Sequence, residues 1–173
     1  MVDLGSRPAP TPYSEAVGRL NMFGMETINV FLYRLSHGKI GGSVWGTPVI
    51  LVTASGRRSG KRYTRPLLAM ADGDDWVLVA SRGGSLGHPD WFRNLEAYEA
   101  GELTDDGEPL LAPTVSSDGA AETEVRMTVL TGDERTAWWE RLVDAYPKFT
   151  GYQERIPHRQ IPVLRLSPKE VRG

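Results

Sequence analysis

At 173 residues, 40% of them hydrophobic and 24% charged, the chain has the size and balance of a soluble globular domain with a core of its own, which excludes a fibrous or disordered protein. It has no cysteine, which excludes disulfides and thiolate metal sites, and its three histidines, His37, His88 and His158, are too scattered for a metal-ligand set. No signal-peptide pattern opens it and no apolar run reaches the ~18 residues of a membrane span, so a cytoplasmic location is expected.

In chain order, residues 1–12 (MVDLGSRPAPTP) are rich in proline and poor in groups that pack, so they read as disordered, with one domain over 13–173. Thr11 and Pro12 suit a helix start, as N-cap and first helical residue. Val17, Leu20, Phe23, Ile28, Phe31, Leu32 and Leu35 then recur at helical spacing through Ser36, and Gly38 makes a stop. The polar face (Glu15, Arg19, Asn21, Glu26, Asn29) excludes a bilayer span. Its aromatic-rich apolar stripe suits core packing or, alternatively, a peripheral membrane contact.

Two apolar, β-branched runs follow, Pro48–Ser55 and Tyr63–Met70, with Gly56 and Gly60 marking the turn between them. This turn is the middle of a cationic window. From Thr27 to Ala71 there is no Asp or Glu among the 22 of the chain, while seven of its 20 Lys and Arg fall there: Arg34, Lys39, Arg57, Arg58, Lys61, Arg62 and Arg65. A net charge of −2 therefore conceals a basic face. A two-glycine turn can aim backbone N–H groups at an anion, and the arginine forks match phosphate or carboxylate oxygens. A solvated hairpin loop is the plainer alternative. Sparse aromatics in the window and an acidic remainder argue against nucleic acid.

Asp72-Gly73-Asp74 turns the chain into a further strand, Trp76–Ser81, which ends in the glycine-rich Ser81-Arg82-Gly83-Gly84. Three short strands on tight turns favour an antiparallel sheet or small barrel. Pro89 starts a second helix through Trp91, Phe92, Leu95 and Tyr98, and residues 99–108 (EAGELTDDGE) read as an exposed acidic loop. Strands are expected at Leu110–Ser116 and Glu122–Leu130, joined by Ser117-Asp118-Gly119. Thr131-x-x-Glu134 reads as a capping box opening a third helix with Trp138, Trp139, Leu142 and Val143 facing inward. Pro147 ends or kinks that helix, and Ile161–Leu166 makes a last strand.

Four motifs stand out in this order: Thr53-x-x-Gly56-Arg-Arg-Ser-Gly60 ahead of Pro66-Leu67, Ala80-Ser-x-Gly-Gly84, Pro89-x-Trp91-x-x-Asn94-Leu95, and Tyr146-Pro147-x-Phe149-x-x-Tyr152 before Ile161-Pro162. On them the chain resembles the deazaflavin (coenzyme F-420)-dependent nitroreductase family, within the split β-barrel flavin and deazaflavin oxidoreductases. The resemblance implies an α+β fold, an FMN-binding split-barrel-like domain with the N-terminal amphipathic helix and two or three further helices. It implies a reductase that passes hydride from the reduced deazaflavin coenzyme to a planar, electron-poor acceptor such as a quinone, nitroaromatic or conjugated enone.

By that resemblance Arg57, Arg58, Ser59 and Gly60 meet the coenzyme phosphate, with Lys61, Arg65 and Pro66 beside them. Ser81, Arg82, Gly83 and Gly84 lie against the tricyclic ring, with Pro89, Trp91 and Asn94 near it. Trp91, Tyr146, Phe149 and Tyr152 border the substrate, and Tyr146 or Tyr152 donates a hydrogen bond or proton. No metal is implied. Arg62-Tyr63 stands where the family has Pro-Arg; a one-residue shift reverses the face of a strand, and Arg65, sharing parity with Tyr63, can supply the missing cation. FMN in the same barrel, and a deazaflavin-binding protein without turnover, are the alternatives, and a homodimer is open.

Overall fold

The computed structural model describes residues 30–39, 41–44 and 46–169. The disorder expected over residues 1–12 and the helix start expected at Thr11 and Pro12 concern residues outside these. Residues 30–35 are helical (α1), and the chain leaves the helix at Gly38, φ +75°, whose N–H donates to the Tyr33 carbonyl at 2.9 Å. That left-handed ending is one that glycine permits without a Cβ clash. The Tyr33 ring is buried, and its hydroxyl bonds the carbonyl oxygens of Val49 at 2.8 Å and Ser117 at 2.6 Å.

The elements that follow are β1 (Ser43–Val44), β2 (Thr47–Ser55), β3 (Arg62–Asp72), β4 (Asp75–Val79), a 3-10 turn at Arg82–Gly84, α2 (Asp90–Glu99), β5 (Thr114–Ser116), β6 (Thr123–Val129), α3 (Gly132–Ala145), α4 (Lys148–Glu154) and β7 (Val163–Pro168). Every pairing is antiparallel. The order runs β2-β3-β4-β7-β6-β5, and β5 returns to β2, so six strands close into a barrel with β1 appended to β2. Closure removes the free edges that a seven-stranded open sheet would expose.

The pleat then sorts the side chains. Ile50, Val52 and Ala54 of β2, Ala69 of β3, Leu78 of β4 and Leu164 and Leu166 of β7 fill the interior, with Phe92 and Leu95 of α2 packed among them. The alternate residues Val77, Val79 and Val163 face outward and are covered by Trp138 and Leu142 of α3 and Phe149 of α4. Burial on both faces explains why these strands read as continuous apolar runs.

Five sequence expectations change. The strand expected over Leu110–Ser116 shortens to β5, because the Arg62 side chain takes the carbonyls of Ala112 at 2.6 Å and Leu111 at 3.5 Å and so occupies groups a ladder would use. The capping box at Thr131 does not form: Gly132 has φ +57°, Thr131 makes no side-chain cap bond, and Glu134 is drawn instead to Arg165 at 2.8 Å. The Ile161–Leu166 strand begins two residues later, at Val163. Residues 148–154, left without an element by the sequence, form α4 directly after Pro147. Finally, 99–108 is not simply a solvated loop, since Thr104 is buried and Leu103 bridges Pro109.

Candidate functional site

The site is built on the β2–β3 turn. Gly56 N–H donates to the Lys61 carbonyl and Gly60 N–H to the Gly56 carbonyl, both at 2.8 Å, with Gly60 at φ +66°. A Cβ on Gly56 would lie 2.9 Å from Cε2 of Tyr63 and 3.1 Å from Oγ of Ser59, so only glycine lets the turn fold against its own strand. The turn thereby presents Arg57, Arg58 and Ser59 to a cleft beside it.

Helix α2 closes the other side. Its Asn94 is only 7% exposed, and its amide oxygen accepts from the Arg57 backbone N–H at 3.1 Å and from the Arg57 guanidinium at 3.1 Å. Asp90, one helical turn earlier, meets the same guanidinium at 3.4 Å. Arg58 is held from a third direction: Asp105 N–H donates to its carbonyl at 2.9 Å, and its Nε donates to the Asp105 carboxylate at 3.1 Å. The acidic strap therefore docks on the basic turn, with the Thr104 methyl 3.4 Å from where a Gly60 Cβ would sit.

Between turn and helix lies a cleft of about 270 Å³ lined by Ala54, Gly56, Arg57, Arg58, Ser59, Tyr63, Arg65, Asp90, Trp91 and Asn94. Arg65 and Tyr63 share the inward parity of Leu67 and Ala69, whereas Arg62 points out of the barrel onto Ala112 and Thr114. Arg65, expected to compensate for the shifted cation, thus lines the cleft beside Tyr63. Lys61 is exposed, Pro66 has the outward parity of Leu68, and Gly60 faces Thr104, so these three lie beside the cleft but are not among its walls.

A second group forms where α3 ends and α4 begins. The rings of Tyr146 and Phe149 stand 4.9 Å apart edge to face, and those of Phe149 and Tyr152 stand 6.1 Å apart, with Phe149 buried at the base. Burial, then a hydrogen bond with Tyr146, raises the Tyr152 hydroxyl above its ordinary 10.0. The glycine-rich segment abuts this group: a Cβ on Gly84 would lie 2.9 Å from both Cα and the carbonyl oxygen of Tyr152. Gly84 thus meets Tyr152, with Ser81 and Gly83 beside it on the same segment, while the exposed Arg82 donates to the His88 carbonyl at 3.3 Å. Pro89 is the buried N-cap of α2, the helix that carries Trp91 and Asn94 into the first cleft.

Sequence reasoning missed Asp90 and Asp105. The i, i+4 relation of Asp90 to Asn94 was a usable signal. Asp105 lies 47 positions from Arg58, and no local pattern connects them.

The model of one protein family, described as F(420)H(2)-dependent quinone reductase, matches residues 26–168. The chain belongs to this family. A Mycobacterium tuberculosis protein, provisionally named F(420)H(2)-dependent quinone reductase Rv3178, is 34% identical to it over 122 residues, 70% of this chain and 91% of that one. The solved structure of an F(420)-H2 dependent reductase (FDR-A) superposes with a TM-score of 0.56 at 31% identity, covering 69% of this chain and 94% of the other. Another, titled as a domain-swapped dimer, gives 0.57 at 26% identity over 91% and 100%. This quinone reductase family member is an oxidoreductase that uses reduced coenzyme F-420.

The residues present fit that coenzyme. Three guanidiniums, from Arg57, Arg58 and Arg65, and the indole of Trp91 converge on one cleft, a donor set for a negatively charged molecule with a flat ring. Among the described residues no group of His, Asp or Glu could hold a metal, and no helix is long and apolar enough to cross a membrane.

Proposed function

We propose that the quinone reductase site of this chain spans the barrel-end cleft and the tyrosine group at the α3–α4 junction, with the coenzyme's anionic part on Arg57, Arg58, Ser59 and Arg65. The single observation that carries this reading is the convergence of three arginines and Trp91 on one concave surface at the end of the barrel. When bound, the coenzyme supplies the hydride, and the protein binds, orients and excludes water. Gly60 and the Lys61 carbonyl fix the turn, and Pro66 continues β3 beyond it. Ser81, Arg82, Gly83 and Gly84 form a thin backbone wall on which a flat ring can lie, with Pro89 holding that wall to α2.

The acceptor lies toward Tyr146, Phe149 and Tyr152. Reduction of a quinone oxygen calls for a proton, and a hydroxyl held above 10.0 keeps its own at neutral pH. Tyr152 therefore donates a hydrogen bond where negative charge develops, and Phe149 contributes the apolar floor. Phe31 and Leu35, 64% and 70% exposed on α1, support the membrane-surface contact, by which an apolar quinone would be reached. Vesicle flotation checks it. The homodimer rests on the likeness to the domain-swapped dimer, and sedimentation checks that.

The test is a titration of the purified protein with coenzyme F-420 and with FMN at low and high salt, followed by turnover of the reduced coenzyme on a quinone panel. Tight, salt-sensitive binding of F-420 and quinone-dependent loss of the reduced form are expected. Preference for FMN, or F-420 affinity untouched when Arg57 and Arg58 are both changed to Ala, refutes the reading.

A further inference from the structure

The glycine-rich segment between β4 and α2 has an unusual backbone. Arg82, Gly83 and Gly84 all have positive φ, at +47°, +61° and +74°. Two of these suit glycine, but Arg82 is a long side chain in a region L-residues avoid, so the segment needs contacts from outside to keep its shape. Those contacts come from the connection between α4 and β7. The Arg159 guanidinium donates through one terminal nitrogen to the Ser85 carbonyl at 2.8 Å and through the other meets Nδ1 of His88 at 2.9 Å. Arg159 is itself fixed, because its carbonyl accepts from the Gln153 side chain at 2.8 Å.

We propose that Arg159 is a positioning residue for the reduction, a two-pronged staple that holds the Arg82–His88 segment in the shape that meets the coenzyme ring, with the neutral His88 imidazole as one of its acceptors. The role rests on the reading above, in which this segment is the wall for the ring. A guanidinium has no acceptor and cannot give up its proton, so Nδ1 must carry the lone pair and Nε2 the hydrogen. The His88 ring also packs on Phe92 of α2 at 5.2 Å, which links the staple to the helix bearing Trp91 and Asn94.

This gives the staple a sign with pH. The charged groups facing His88 are Arg159 from the α4–β7 connection, Arg82 from its own segment, and Arg93 and Glu96 from α2. Burial first, then Arg159 and Arg93, hold the imidazole below its ordinary 6.5, with Glu96 opposing. The staple is therefore complete above pH 6.5 and is lost as pH falls through the lowered value, where a proton on Nδ1 removes the acceptor and adds a cation beside three guanidiniums.

The experiment follows the His88 ring by NMR in the coenzyme-free protein, with three histidines to assign, and measures coenzyme affinity and turnover against pH. In Arg159→Ala the His88 midpoint moves up toward 6.5, and turnover falls roughly tenfold with coenzyme affinity down about fivefold. Arg159→Lys keeps the charge but not the fork, so it restores the His88 midpoint more than it restores turnover. In His88→Gln, whose amide oxygen accepts without titrating, the loss of turnover on acidification below pH 6.5 disappears. An unmoved His88 midpoint and turnover in a folded Arg159→Ala protein overturn the proposal, as does an acid limb that survives in His88→Gln. The NMR readout needs no coenzyme, so it stands apart from the Arg57 and Arg58 test of the site itself.

Discussion

Asn94→Ala removes one oxygen that holds two donors, the Arg57 N–H and the Arg57 guanidinium, each at 3.1 Å. A net neutral hydrogen bond contributes about 1 kcal/mol and one to a charged group roughly 1.5–3 kcal/mol. Here both share a single acceptor, and the Arg57 side chain keeps 30% of its exposure, so water replaces part of the second bond. A loss of about 2 kcal/mol in the alignment of Arg57 is the reasonable sum, which is roughly 30-fold in coenzyme affinity if Arg57 meets the anion directly. The freed guanidinium would swing onto Asp90, already 3.4 Å away, and deepen the loss. Asn94→Asp separates alignment from charge: it keeps the acceptor geometry but sets a carboxylate against the guanidinium, so it should fold and still bind the anionic coenzyme weakly. Affinity is read from the coenzyme's fluorescence on titration, with thermal melting alongside. A folded Asn94→Ala protein that binds within about twofold of the parent refutes the assignment of Arg57 as a held anion donor.

Arg65→Ala should lower coenzyme affinity by tenfold or more in the same titration, whereas Arg62→Ala, which loses outward bonds to Ala112 and Thr114, should leave affinity alone and lower the melting temperature. Tyr33→Phe removes the hydroxyl whose proton the Val49 and Ser117 carbonyls share and should destabilise the fold by about 1–3 kcal/mol in denaturant unfolding, without changing the coenzyme titration. Tyr152→Phe should cut quinone turnover by about 10²-fold or more at an unchanged coenzyme affinity; unchanged turnover removes that hydroxyl from the proton path.

Much of the barrel was legible because β2 and much of β4 and β7 are buried on both faces, and the first three long strands are bounded by glycine and Asp-Gly turns. Pro48–Ser55, Tyr63–Met70 and Trp76–Ser81 each fall within two residues of an observed strand. That Arg65 shares a face with Tyr63 also followed from counting, since alternation in a strand has no slack, but that this face lines the cleft did not. What failed was set by partners remote in sequence. Thr131 and Glu134 have the spacing of a capping box, yet Arg165 on β7 claims the glutamate together with Asp72 and Asp75. Residues 110–113 have strand composition, but the Arg62 side chain bonds their carbonyls. The acidic strap looked solvated on composition, and only the fold reveals that Asp105 reaches Arg58 through both backbone and side chain. The α4 helix went unread because Lys148–Glu154 is short and contains a glycine.

The two arginines of the turn are held in different ways, and that difference bears on how an anion is received. Arg57 is largely covered and fixed by the buried Asn94, so its donors keep their direction whether or not a ligand is present. Arg58 and its partner Asp105 are 78% and 60% exposed, and such surface pairs contribute about 0–1 kcal/mol. A phosphate oxygen accepting a charge-assisted bond can displace that carboxylate at little cost, while the backbone bond from Asp105 to the Arg58 carbonyl keeps the strap in place. On the proposed reading, Arg57 would set the position of the anion and Arg58 would adapt to it. Because the adaptable contact exchanges one exposed anion for another, salt should weaken the final adjustment more than the initial alignment, and the docked strap keeps the acid close enough to retake Arg58 when the ligand leaves.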